Sequence, residues 1–300
     1  MKQFLFKSAL FFVIVISIVT FLLLSSGGYI DYFYVKFTSP KAKSMILGDS
    51  RSFQGIQPKV INTYFKNNVY DLPILNYSFT IAQISYDSLY LESVKRKLDT
   101  TARDGLFILS VHPWVLSNRQ EKNSKQNLSV PPYNMNNVSC NPNYEYLLKN
   151  YNYFHFKSIV RKTSFVHKDG WLEESNLPKD SLTLEQWKIH QIKMYSGFAK
   201  KWKKSNQMLF NLEKMIDYLY KYGTVVLVRM PIGKRLKSIE NNYWPNFEKE
   251  IQKIAVKKKI NYISYLKDSN RYKTYDGNHI DKYGGVFFTK NLCKRIKSNR

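Results

Sequence analysis

The chain predicts an α/β protein: a three-layer α/β/α sandwich on a doubly wound, mainly parallel five-stranded sheet, preceded by an N-terminal transmembrane helix. Three observations carry this prediction. Five short apolar runs recur along the chain, amphipathic helical stretches separate most of them, and an unbroken apolar segment runs from Ser8 to Leu24. Continuous apolar runs suit strands covered on both faces, and alternating β and α winds such strands into a parallel sheet.

The elements follow in order. Ser8–Leu24 carries no charge and follows Lys2 and Lys7. At a rise of about 1.5 Å per residue it is just long enough to cross a hydrocarbon core of ~30 Å. Lysines on its N-terminal side predict an N-in orientation, with everything after Ser25 outside the cytoplasm. Residues 1–28 are therefore read as a membrane anchor. Ser25-Ser26-Gly27-Gly28 keeps a cleaved signal peptide open as the alternative, and either way the domain at 29–300 lies outside the cytoplasm, on the periplasmic or cell-surface face.

Within that domain, Ser44–Ser50 reads as a buried strand running into a Gly-Asp-Ser turn. Strands follow at Ile74–Phe79, Leu106–Val111, Thr224–Met230 and Asn261–Leu266, with helical stretches at Ala82–Leu98, Asn206–Tyr222, Asn246–Lys258 and Lys282–Lys297. Residues 117–204 break the pattern: polar, rich in Asn and Tyr, interrupted by Pro131-Pro132, with little strand signal. That length is too great for a loop, so it is read as an insertion with its own short helices, one at Glu185–Lys201. It leaves the sheet after the third strand, at the carboxyl edge, where a cap over a site would sit.

The net charge is +25, with lysine outnumbering arginine and with Asn, Ile and Tyr abundant. Codon bias in an AT-rich genome is the plainer account of this balance, and attraction to an anionic membrane surface or an acidic glycan is the alternative. The lysines are scattered apart from 200–204 and 257–259, and an exported location argues against nucleic acid as a partner. Cys140 and Cys293 sit in unlike contexts without metal-ligand spacing and are expected to be free. Asn127-Leu128-Ser129 and Asn137-Val138-Ser139 match glycosylation sequons, which matter only in a eukaryotic secretory pathway. Neither a phosphate-binding glycine loop nor a metal-ligand cluster is visible, so no cofactor and no metal is expected.

Chemistry-bearing residues fall at strand ends. Ser50 closes the first strand, Ser78 lies in the second, His112 closes the third, and Asp276 and His279 follow the fifth. In a doubly wound sheet ligands bind outside the carboxyl ends of the strands, so all five converge on one rim. A serine, a histidine and a carboxylate are the three groups that serine-based acyl transfer needs.

Leu47–Arg51 (LGDSR), Leu75–Phe79 (LNYSF) and Asp276–His279 (DGNH) resemble the blocks of the SGNH (GDSL-type) hydrolase superfamily. The resemblance runs from about Lys43 to the C-terminus and leaves the insertion unmatched. A membrane anchor before such a domain is similar to extracytoplasmic proteins that act in O-acylation of bacterial cell-surface polymers. The resemblance implies Ser50 as nucleophile, His279 as general base and Asp276 as the carboxylate that orients the imidazole. Ser50 itself, at a helix start, would give one backbone oxyanion donor. Ser78 occupies the position of the second-block glycine, whose N–H enters the oxyanion hole. The third block usually reads Gly-x-Asn-Asp, where this chain has Ser110-Val111-His112-Pro113; either His112 or Asn76 takes the donor role, or the third donor is absent. Losing one such donor typically costs ~3 kcal/mol.

Plainer roles stand beside these. Ser50 is also placed to cap a helix, Asp276-Gly277 to form a turn with His279 capping the last helix, and His112 to be a satisfied strand-end histidine. Arg51 is either a substrate contact or a surface helix residue, and Arg229 either holds an anionic group at the rim or pairs inside the fold. His155, His167 and His190 lie in the insertion as surface or packing residues. Trp114, Trp171, Trp187 and Trp202 either stack on sugar rings or fill the core. The expectation is a serine esterase or O-acyltransferase acting on acyl esters of a cell-surface carbohydrate or polymer, with a membrane-embedded acyl-donor protein as a partner by analogy. The alternative is a catalytically silent scaffold of the same fold that binds a surface glycan or a membrane acyltransferase.

Overall fold

The computed structural model describes residues 1–26, 30–66, 69–119, 131–150 and 164–299; the Asn127 sequon, Gly27, Gly28 and His155 lie outside them. Its elements begin with helix α1 (Lys2–Ser26), α2 (Tyr34–Thr38), strand β1 (Ser44–Leu47), α3 (Ser50–Gly55), α4 (Pro58–Tyr64), β2 (Ile74–Asn76) and α5 (Ser88–Lys97). After β3 (Gly105–Ser110) come β4 (Ser117–Asn118), α6 (Tyr144–Asn150), β5 (Ser164–Val166), β6 (Leu172–Glu174), α7 (Ser181–Lys201) and β7 (Lys203–Lys204). The chain closes with α8 (Asn206–Leu219), β8 (Gly223–Arg229), α9 (Lys234–Tyr243), α10 (Phe247–Lys258), β9 (Asn261–Ser264) and α11 (Lys282–Ser298).

Five strands form one sheet in the order β2-β1-β3-β8-β9, every neighbour parallel. Side chains on a strand alternate between faces, and here each face has its own core. Met45, Leu47, Phe107, Leu109, Val225 and Leu227 enter one apolar cluster, while Ile46, Leu106, Ile108, Val226, Val228 and Ile263 enter the other. On the first face lie Leu91 and Val94 of α5, Leu212, Met215 and Ile216 of α8, and Ile251 and Ala255 of α10. On the second lie Ile61 of α4 and Phe288, Leu292 and Ile296 of α11. The result is the three-layer, doubly wound sandwich that the apolar runs predict.

The strand order reverses between β1 and β3, which opens the crevice where ligands of such sheets bind. Gly48 makes the turn there. Its φ is +145°, and a Cβ would come within 2.6 Å of both Ser110 Cβ and Ser52 Oγ, so only glycine lets β1 turn this tightly against the end of β3. Asp49 then caps α3, its carboxylate accepting from Arg51 N at 3.1 Å.

Strand ends are shorter than their apolar runs: regular β2 stops at Asn76, although the amides of Tyr77 and Phe79 still donate to the carbonyls of Ile46 and Gly48 along β1 and its turn. Likewise the helix expected from Ala82 starts only at Ser88, where Asp87 accepts from Tyr90 N at 2.8 Å. Cys140 is exposed and Cys293 buried, and both thiols are free.

No residue of the apolar window of α1 is buried, and the helix is long and apolar enough to cross a membrane or to serve as a signal sequence. The 117–204 region adds two small antiparallel pairs, β4–β7 and β5–β6. Fully buried Lys36 ties this region to the sheet: its Nζ donates to the carbonyls of Asn76 at 2.5 Å and Gly170 at 2.6 Å, and burial drives its pKa well down.

Candidate active site

Ser50 is the first residue of α3, where Asp49 supplies the cap, so its side chain is free to point away from the helix. Across the rim, residues 274–281 form a turn closed by Tyr275 N donating to His279 O at 3.0 Å. Asp276 organises it. One carboxylate oxygen accepts the backbone amides of Asn278 at 2.9 Å and His279 at 2.8 Å, an Asx turn that Gly277 permits with a φ of +87°. That leaves the second oxygen for side chains, and His279 Nδ1 lies 2.7 Å from it. Cap duty for α11 falls to Asp281, which accepts from Gly284 N at 2.6 Å, so His279 is not the cap.

His279 Nε2 stands 2.8 Å from Ser50 Oγ. An ionised carboxylate only accepts, so Asp276 fixes the proton on Nδ1 and leaves the Nε2 lone pair facing the hydroxyl. Burial disfavours the imidazolium, but the charge and hydrogen bond of Asp276 outweigh it, and the His279 pKa is raised. Asp276 moves the other way: burial would raise it, yet His279 and the two backbone amides hold it below the usual carboxylate range. The linkage signs differ. The His279 contribution to stability is full below ~6.5 and fades as pH rises through its folded-state pKa; that of Asp276 is present above ~3.9 and fades as pH falls.

A cavity of about 820 Å³ opens above this pair, with Asp276 and His279 in its floor. Its walls come from Glu174 to Pro178 and from α7, through Gln186, Trp187, His190 and Gln191. Trp187, Gln191 and Tyr195 recur at the four-residue spacing that stacks side chains on one helix face. Gln191 Nε2 donates to Asp276 Oδ2 at 3.2 Å, and Tyr195 accepts from Asn278 Nδ2 at 3.1 Å.

Beneath Ser50 lies a buried charge network. Glu240 on α9 accepts from Arg51 at 2.6 Å, from Arg229 at 2.6 Å and from Trp114 Nε1 at 2.7 Å. All four residues are at most 1% exposed. Burial works against the Glu240 charge, but the two guanidiniums prevail and hold its pKa low. Arg51 and Arg229 are therefore committed inside the fold, and neither faces the cavity as a substrate contact. Trp114 is a core residue of this network. Trp202 stacks on Phe198 at 4.0 Å between ring centroids, and Trp171 on His167 at 4.7 Å. Trp187 is the tryptophan among the cavity-lining residues.

Of the expected oxyanion donors, Asn76 and Ser78 are also occupied, whereas the ring nitrogens of His112 make no hydrogen bond. Asn76 Nδ2 donates to the carbonyls of Ser52, Phe53 and Ile56 at 2.9, 3.4 and 3.1 Å, satisfying the C-terminal end of α3. Ser78 N donates to Asn76 Oδ1 at 3.2 Å, and its hydroxyl accepts from Ser52 at 2.9 Å. His112 Nε2 sits 2.8 Å from Asp49 Oδ2, a close contact outside hydrogen-bond alignment, and burial lowers the His112 pKa against the pull of Asp49. These three groups support the Ser50 turn from below rather than facing the cavity. Glu240 and Asn278 were not readable as site residues: Glu240 lies on a helix with no motif, and Asn278 inside the DGNH stretch carries no signal of its own. Among the described residues no group of three or more His, Cys, Asp or Glu side chains is placed to hold a metal ion.

No protein-family model matches the chain, and no curated protein matches it. Among solved structures it is similar to the crystal structure of the lipase/acylhydrolase from Enterococcus faecalis, with 10% identity, a TM-score of 0.42, and coverage of 85% of this chain and 95% of that one.

Proposed function

We propose that the chain is a serine-dependent esterase or O-acyltransferase that works through an acyl-Ser50 intermediate on acyl esters of a carbohydrate or polymer outside the cytoplasm. The observation that carries this reading is the continuous run Ser50 Oγ, His279 Nε2, His279 Nδ1, Asp276 Oδ2, with links of 2.8 and 2.7 Å. The similarity of its three sequence blocks to the SGNH superfamily points the same way. The chemistry balances as follows. Ser50 Oγ bonds to the carbonyl carbon while its proton passes to His279 Nε2, and the carbonyl π pair becomes an oxyanion. Collapse breaks the bond to the alcohol, which takes the proton from Nε2. Water gives hydrolysis when it accepts the acyl group, and a sugar hydroxyl gives transfer. The exposed helix α1 would hold the domain at a membrane, next to an acyl-donor partner, and Trp187 would offer a sugar-stacking face.

The neutral imidazole is the working base, so rate rises as His279 loses its proton. Because its pKa is raised, the acid limb of kcat/KM for an activated ester such as p-nitrophenyl acetate should have its midpoint above ~6.5. A pH profile of the purified chain checks this, and a midpoint below that value removes His279 as the base. The occupied state of Asn76 and Ser78 favours a second reading, a binding scaffold without turnover; such a protein would show no acid limb because it would show no rate.

A further inference from the structure

We infer that Asn278 is the side-chain donor to the oxyanion formed at Ser50, and that it is released to this task when His279 takes the serine proton. The inference rests on the reading of Ser50 as the nucleophile. Asn278 Nδ2 lies 3.0 Å from His279 Nε2, the same nitrogen that faces Ser50 Oγ. It therefore stands at the reacting centre, beside the nitrogen that must change its protonation. The direction of the amide is set by chemistry. Arg51 Nε can only donate, and it lies 2.8 Å from Asn278 Oδ1, so the oxygen faces Arg51 and the NH2 group faces the imidazole. Glu240 holds Arg51 in place, which makes Arg51 a positioning residue, and Tyr195 takes one of the two amide hydrogens.

In the resting state two donors compete for one lone pair: the Ser50 hydroxyl and the second amide hydrogen of Asn278. Once Nε2 binds the serine proton it is a donor itself, and the Asn278 N–H loses its acceptor. At that moment the carbonyl oxygen bound to the carbon on Oγ becomes negative, immediately beside it. A donor freed as charge develops stabilises the transition state more than the ground state, which is the condition for raising kcat. It also fills the role for which Asn76 and Ser78, engaged with α3 and with each other, are unavailable.

The test compares the full-length chain in detergent with Asn278→Ala and the isosteric Asn278→Asp, which keeps an oxygen for Arg51 but no N–H for the imidazole. The readouts are the rate of labelling by a fluorophosphonate, whose P=O oxygen takes the oxyanion position, and the kcat, KM and pH profile for an activated ester. Both variants should label ~100- to ~1000-fold more slowly, with kcat reduced in step and KM unchanged. The acid limb should also move up in pH, because the neutral imidazole loses a donor, a shift that merely loosened packing would not give. Either folded variant reacting at the wild-type rate overturns the inference while leaving Ser50 as nucleophile. Failure of the folded wild type to label overturns the nucleophile reading instead.

Discussion

Replacing Ser50 by alanine should lower kcat for ester cleavage by about 10⁶-fold with KM unchanged, and adding His279→Ala should cost almost nothing more. The reason lies in the proton's path. The hydroxyl is a useful nucleophile only while Nε2, 2.8 Å away, receives its proton, so removing either partner removes the same step. Asp276→Asn should fall by about 10⁴-fold, because an amide no longer fixes the Nδ1–H tautomer. Steady-state kinetics of the two single variants and the double variant measure the coupling. Losses that simply multiply would mean that serine and histidine act in separate steps, against the arrangement seen here.

The second large effect concerns stability. Glu240→Gln should lower the free energy of unfolding by about 3–5 kcal/mol, read from urea denaturation, although the side chain keeps its size. Arg51 and Arg229 are both buried, and the carboxylate they share at 2.6 Å offsets one of their two positive charges, while Glu248 lies 3.7 Å from Arg229 Nε. A neutral amide would leave buried Arg51 without its ion-pair partner and Arg229 with only the longer contact to Glu248. The network as a whole need not add stability, since an apolar replacement of all three groups removes the desolvation cost together with the attraction. Arg51→Met, Arg229→Met and Glu240→Leu combined should therefore recover most of the lost stability. Turnover should stay low in the triple variant, because Asn278 loses the donor that orients its amide.

What was legible in the chain follows from how local each signal is. The five strands announce themselves because both faces of the sheet are covered, so every residue of Ser44–Leu47 and Gly105–Ser110 is buried and the sequence runs apolar without a break. Ser50 and the Asp276–His279 stretch were readable because each follows a strand and sits in a turn whose residues it also needs for folding. Asp49 caps α3 and Asp276 closes an Asx turn, so motif and local structure coincide. Arg229 was open between the rim and the interior, and Arg51 between a substrate contact and a surface helix residue, because the partner that decides, Glu240, is far from Arg51 in sequence and marked by nothing around it. Asn76 and Ser78 followed a block pattern, but no pattern shows that the amide of Asn76 is needed at the end of α3, where four-residue periodicity leaves carbonyls without donors. Helix α3 was readable only as a start at Ser50 and α4 went unread, because each is no longer than about two turns and Pro58 separates them. In the 117–204 region the contact-making residues are polar or aromatic, so Gln191 and Tyr195 stand out only once α7 is laid over the turn at Asp276.

The most direct measurement of the central claim is the site of covalent modification. The full-length chain is treated with a fluorophosphonate and digested, and the adduct is located by mass spectrometry, with Ser50→Ala and His279→Ala as controls. An activated serine in this arrangement predicts a single adduct on Ser50, absent from the first variant and strongly slowed in the second. A folded wild-type protein that gains no adduct, or an adduct that persists in Ser50→Ala, would contradict it.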